Sequence, residues 1–144
     1  MKRHATSVWK GSGKEGKGAL TTQSGALDEQ PYSFRLRFEN EDGKQGTNPE
    51  ELIAAAHAGC FNMALAVQLS GEGYTAERLE TRADLRLEKQ NGGFAITTIQ
   101  LNLEAKIPNI TLEKFNELAG KAKEGCPVSQ VLNAEISLES KLLD

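Results

Sequence analysis

The chain has 144 residues, a formal net charge of −3, 38% hydrophobic and 26% charged residues, a balance suited to one globular domain with its own core. It argues against a disordered tail, a collagen or a membrane-spanning chain. General nucleic-acid binding needs a basic face to displace counterions, and Lys14, Lys17 and Lys44 stand singly.

Glycine and polar residues punctuate the first third and separate three strand-like pieces, residues 6–10, 17–22 and 33–38. The last alternates, with Phe34, Leu36 and Phe38 on one side and Arg35 and Arg37 on the other. Short turns between the pieces predict an antiparallel meander. Asn48-Pro49-Glu50-Glu51 then reads as a helix start, with Asn48 as N-cap, Pro49 at the first helical position and Glu51 completing a capping box. Residues 52–70 are alanine-rich and uncharged, which predicts a helix buried nearly all round, stopped by Gly71 and Gly73. So long a buried helix in so small a domain points to cover from a second subunit.

Strand signals return at residues 79–89, and Asn91-Gly92-Gly93 is a hairpin turn. In the next segment Phe94 and Ile96 are even, whereas Ile99, Leu101, Leu103, Ala105 and Ile107 are odd. That slip predicts a bulge near Thr97-Thr98. Thr111 opens a helix to about Glu124, Gly125-Cys126-Pro127 breaks it, and a short helix to Asn133 follows. A last strand carries Ala134, Ile136 and Leu138 inward. The order predicts an α+β fold.

Compartment follows from the ends and the cysteines. The basic start leads into Ser7-Val8-Trp9-Lys10 rather than an apolar run, so no secretory segment is expected. The longest unbroken apolar run, from Leu52 to Ala56, is far short of the roughly 20 residues that span a bilayer. Two cysteines make no disulfide scaffold. The expected setting is the cytoplasm, away from membranes, with Cys60 and Cys126 as thiols.

The two thiols differ in setting. Cys126 stands at a helix entrance, where the dipole and free N–H groups favour thiolate; Cys60, in mid-helix, needs a nearby cation. The plainer alternative is that both are small core residues. His57 precedes Cys60 by three and shares its helix face, but His57, Cys60 and Cys126 fall short of the four ligands of structural zinc. His57 is read as a packed helix residue bonded to backbone. Glu50 lies about 15 Å before Cys60 along the axis, toward a common side, and an arginine held by Glu50 spans that gap. Arg35 and Arg37 are the candidates; a solvated strand face is their simpler role.

Gly46-Thr47-Asn48-Pro49-Glu50-Glu51-Leu52-Ile53, Ala55-Ala56-His57-Ala58-Gly59-Cys60-Phe61 and Ala122-Lys123-Glu124-Gly125-Cys126-Pro127-Val128-Ser129 together resemble the OsmC/Ohr family of thiol-dependent hydroperoxide reductases, nearest its osmotically inducible branch. The likeness runs from Trp9 to the last strand. It implies one domain over residues 1–144, completed by a partner subunit in an intertwined homodimer with curved antiparallel sheets around long central helices. It also implies a stress-defence peroxidase without bound cofactor or metal. Cys60 matches the peroxidatic position, oxidised to sulfenic acid, and Cys126 the resolving one, closing a disulfide. A guanidinium held by Glu50 activates Cys60. Arg37 matches that arginine in this branch, whereas the other branch draws it from the hairpin where this chain has Lys17.

An apolar surround of Phe61 and Met63 would favour organic hydroperoxides, and the expected reductant is an external dithiol of dihydrolipoyl type. The rival readings are a non-enzymatic redox sensor, a small-ligand binding module with inert thiols, and a metal protein.

Overall fold

A computed structural model describes every residue from Met1 to Asp144. The chain forms two compact units, Met1–Leu52 and Ile53–Asp144, and the fold is α+β as expected.

The first unit is the predicted meander. Strands β1 (Ala5–Lys10), β2 (Lys17–Thr22) and β3 (Gln30–Ser33) pair antiparallel in that order. Register puts Trp9 and Tyr32 on either side of Gly18, with the two rings 5.5 Å apart. A Cβ at Gly18 would stand 2.3 Å from the Tyr32 ring, so the aromatic pair requires glycine there.

The alternating segment 33–38 is not a strand. Ser33 ends β3 and accepts a hydrogen bond from the Leu36 N–H, capping a one-turn helix α1 (Phe34–Phe38). Phe34 and Phe38 stack at 4.8 Å, the i,i+4 contact that only a helix makes. Alternation over five residues satisfies both periods; the serine cap decides for the helix.

Helix α2 (Pro49–Gly71) starts where the capping residues predict, with Asn48 Oδ1 accepting from the Glu51 N–H. The Glu51 carboxylate turns to the Thr47 hydroxyl at 2.8 Å, so the box closes through a side chain. The helix is not buried all round. Its covered stripe is His57, Phe61, Leu65 and Leu69, while Met63 and Val67 are 72% and 70% exposed. By length and composition alone α2 could cross a membrane, with a mean hydropathy of 1.5. The short apolar run had hidden this, because alanine, glycine and uncharged polar residues continue it.

In the second unit β4 (Arg78–Gln90) and β5 (Gly93–Lys106) form a long antiparallel hairpin closed by Asn91-Gly92, both at positive φ, as a type I′ turn requires. Register shifts between Arg86, opposite Thr98, and Leu87, opposite Ile96, leaving Thr97 as the extra residue. That bulge turns Ile99, Leu101, Leu103 and Ala105 into the core.

Thr111 caps α3 (Leu112–Gly125), and α4 (Pro127–Val131) follows, ending two residues before Asn133. Strand β6 (Glu135–Leu143) then joins β5 in parallel, Ile99 opposite Ile136. This sheet is therefore mixed: the helical crossover returns the chain to the end where β5 began. The core combines the α2 stripe, the inner face of β5, and Phe115, Leu118, Ala119 and Ala122 of α3.

Candidate active site

Pro127 ends α3 and opens α4 at once, and Cys126 occupies the junction as the last cap of one helix and the first of the other. Its side chain is fully buried. There it meets α2. The Cys60 and Cys126 sulfurs are 2.6 Å apart, with both residues free thiols. One turn earlier, the buried His57 ring reaches the same junction, with Nε2 2.7 Å from the Ser129 hydroxyl. This replaces the backbone bond expected of His57, and its Nδ1 has no partner.

The electrostatics distinguish the sulfurs. Burial pushes the Cys60 thiol above its ordinary value; the hydrogen bond it shares with Cys126 adds to the rise and the Val128 N–H opposes it. Burial also works against a Cys126 thiolate. There, however, the contact with Cys60, the Ser129 N–H and hydroxyl, and the Val128 N–H outweigh it and lower the thiol. The sulfur makes no capping hydrogen bond to α4, so these groups act as nearby dipoles. Within one chain Cys126 is the more acidic thiol, as its place at a helix entrance predicts.

A second cluster lies in the first unit. Arg37 Nε is 3.1 and 3.2 Å from the Glu50 carboxylate oxygens, and Nη2 is 2.5 Å from one of them. The fork is bidentate, the geometry that suits guanidinium to carboxylate. The Glu50 side chain is only 15% exposed and that of Arg37 36%, with the guanidinium carbon 5.0 Å over the Phe38 ring. In α1 Arg37 turns to Glu50 rather than lying on the solvated strand face that alternation predicts. Arg35 and Lys17 are exposed, and neither takes the Glu50 carboxylate. Phe61 is a core residue, whereas Met63 stands on the uncovered face of α2 and lines no thiol pocket in the single chain.

The residue that sequence reasoning missed is Ser129. A serine three positions after a cysteine at a helix start was the available signal.

The chain is similar to known proteins in sequence and in fold. The family model described as OsmC-like protein matches residues 41–141. Peroxiredoxin OsmC of Escherichia coli is 52% identical over 134 residues, covering 93% of this chain and 92% of that one. The crystal structure of organic hydroperoxide resistance protein OhrB of Bacillus subtilis superposes with a TM-score of 0.70 at 30% identity, covering 96% and 98% of the two chains. An OsmC-like protein of unknown function from Vibrio cholerae shares the fold with a TM-score of 0.79 at 17% identity, over 98% and 99%. With the paired thiols, the Arg37–Glu50 fork and these likenesses in place, the chain belongs to the OsmC family.

Proposed function

We infer that this chain is a cytoplasmic stress-defence peroxidase that reduces organic hydroperoxides to alcohols. The observation that carries the reading is the 2.6 Å approach of two free thiols 66 positions apart in the sequence. The Cys60 thiolate attacks the terminal oxygen of the hydroperoxide. The O–O bond breaks, the alkoxide leaves and takes a proton to become alcohol, and Cys60 becomes a sulfenic acid. Cys126 then displaces hydroxide from that sulfur and closes the disulfide, and water departs. An external dithiol, of dihydrolipoyl type, reduces the disulfide by exchange. The protein brings no bound cofactor to any step.

Cys60 lacks a cation of its own on α2, and burial raises its thiol. We assign that role to the Arg37 guanidinium, which Glu50 fixes and which stays protonated throughout. The working form is a homodimer. Met63 and Val67 leave the uncovered face of α2 apolar, and burying it against a second copy stabilises both.

The test is steady-state consumption of cumene hydroperoxide with dihydrolipoamide. Wild type turns over many equivalents, Cys60→Ser none, and Cys126→Ser reacts once and stalls. A single oxidation per molecule in wild type would mark a redox sensor instead. Cumene hydroperoxide is expected to react faster than hydrogen peroxide with the reduced protein; the reverse order would overturn the substrate class.

A further inference from the structure

The peroxidase reading uses Cys60, Cys126, Arg37 and Glu50, and leaves a buried histidine beside the thiols without a task. His57 is fully enclosed. One ring nitrogen is bonded to Ser129 and the other to nothing. A bare acceptor is cheaper to bury than an orphaned N–H, which puts the proton on Nε2. Nε2–H then donates to the Ser129 oxygen at 2.7 Å. That oxygen has accepted its bond, so its own hydrogen is free to turn outward. Ser129 is three residues beyond Cys126 in the first turn of α4.

We propose that His57 and Ser129 form a directed chain of donors, His57 Nε2–H to Ser129 Oγ and Ser129 O–H to Cys126 Sγ, that holds Cys126 as the attacking sulfur of the second step. In this arrangement the Ser129 hydroxyl is the donor turned to the reacting sulfur, and His57 is a positioning residue that orients that hydroxyl. In that step Cys126 sulfur attacks Cys60 sulfur, an S–S bond forms, and the S–O bond of the sulfenic acid breaks. Cys126 is oxidised and the Cys60 sulfur is reduced. The departing hydroxide takes up the proton that Cys126 gave away, leaving as water. The Ser129 hydroxyl favours Cys126 as thiolate, consistent with its lowered thiol. A neutral His57 suits the task, and burial holds it below its ordinary value.

The inference rests on the peroxidase reading for its reaction, but the donor chain is measurable without peroxide. In the first arm, reduced full-length protein is mixed with one equivalent of cumene hydroperoxide. Trapping with dimedone at intervals gives sulfenic acid against disulfide by mass spectrometry. In Ser129→Ala and His57→Leu the rate of disulfide closure relative to Cys60 oxidation falls about tenfold, the effect of one lost charge-assisted hydrogen bond. His57→Gln, which keeps an N–H at the Nε2 position, restores most of it. In the second arm, thiolate absorbance near 240 nm is titrated in a Cys60→Ser background. Adding Ser129→Ala or His57→Leu moves the Cys126 transition to higher pH, and His57→Gln moves it back. Equal closure rates with an unmoved transition overturn the inference. Absence of sulfenic acid in wild type overturns the peroxidase reading, and the titration still decides the donor chain.

Discussion

Glu50→Gln changes one oxygen to an amide nitrogen and removes one charge, leaving the volume alone. The bidentate grip on Arg37, with contacts of 3.1, 3.2 and 2.5 Å, then loses an acceptor, and an amide N–H faces a guanidinium N–H. Arg37 is 36% exposed, so solvent screens the pair, and its stability contribution is about 1 kcal/mol or less. For a chain of this size that lowers Tm by roughly 2–4 °C. The cost to reaction is larger. A released arginine regains side-chain freedom worth about 2 kcal/mol, and holding the guanidinium against a thiolate must again overcome it. At 1.36 kcal/mol per decade this slows Cys60 oxidation about 30-fold. The assay is the second-order rate constant of the reduced variant with cumene hydroperoxide, with a thermal melt on the same sample. A variant that melts a few degrees lower yet oxidises within about threefold of wild type would refute the role of the Arg37–Glu50 fork.

Phe61→Ala empties a fully buried site between α2 and β5, and is expected to cost about 3–5 kcal/mol, read as a shift in the urea midpoint; a change below about 1 kcal/mol would show that the core collapses around the gap. Met63→Lys places a charge on the uncovered face of α2, and sedimentation is expected to show 15.6 kDa protomers where wild type sediments at twice that mass. A wild-type monomer would remove the proposed dimer. Stability also carries a pH signature from His57, whose burial lowers its pKa from the ordinary 6.5. The unfolded chain binds the extra proton first, so stability is fully present above 6.5 and falls as the pH drops from 6.5 toward the folded value. His57→Gln should flatten that slope in urea melts compared at about pH 7.5 and 5.5; an unchanged slope would assign it to other groups.

Where a local rule had enough residues to act on, the fold was legible in the sequence. The α2 start, the Asn91-Gly92 turn and the Thr97 bulge each depend on a cap, a positive φ or a phase slip visible within a few positions. Segment 33–38 forms a helix where alternation predicts a strand because five alternating residues fit both, and the Ser33 hydrogen bond and the Phe34–Phe38 contact distinguish them. The bare face of α2 was legible only as a surface in need of cover. Hydrophobicity reports that such a surface needs cover, and the small size of the domain pointed to a second chain, but no local rule says which residues, here Met63 and Val67, that chain would meet. The Cys60–Cys126 juxtaposition came from family likeness, since spacing alone carries no information across 66 positions. Ser129 escaped because its partner, His57, is 72 residues away.

The two readings of thiol acidity, one favouring Cys126 and one Cys60, belong to successive steps. Two thiolates 2.6 Å apart would repel by about 6 kcal/mol even at an effective dielectric of 20, so the resting pair keeps at least one proton. Local geometry gives the charge to Cys126. In the proposed mechanism oxidation of Cys60 needs the charge on the other sulfur, and the role assigned to Arg37⁺ is to move it there. Once Cys60 is a neutral sulfenic acid the repulsion ends. Cys126 then ionises in the environment that favours it and attacks. If the cation governs the first step and the α4 entrance the second, as proposed, losing Arg37 slows oxidation of Cys60 while leaving Cys126 the more acidic sulfur. A Cys126→Ser variant whose Cys60 oxidises equally fast with Arg37 and with Arg37→Ala would show that Cys60 needs no cation, and the division of labour between the two clusters would fail.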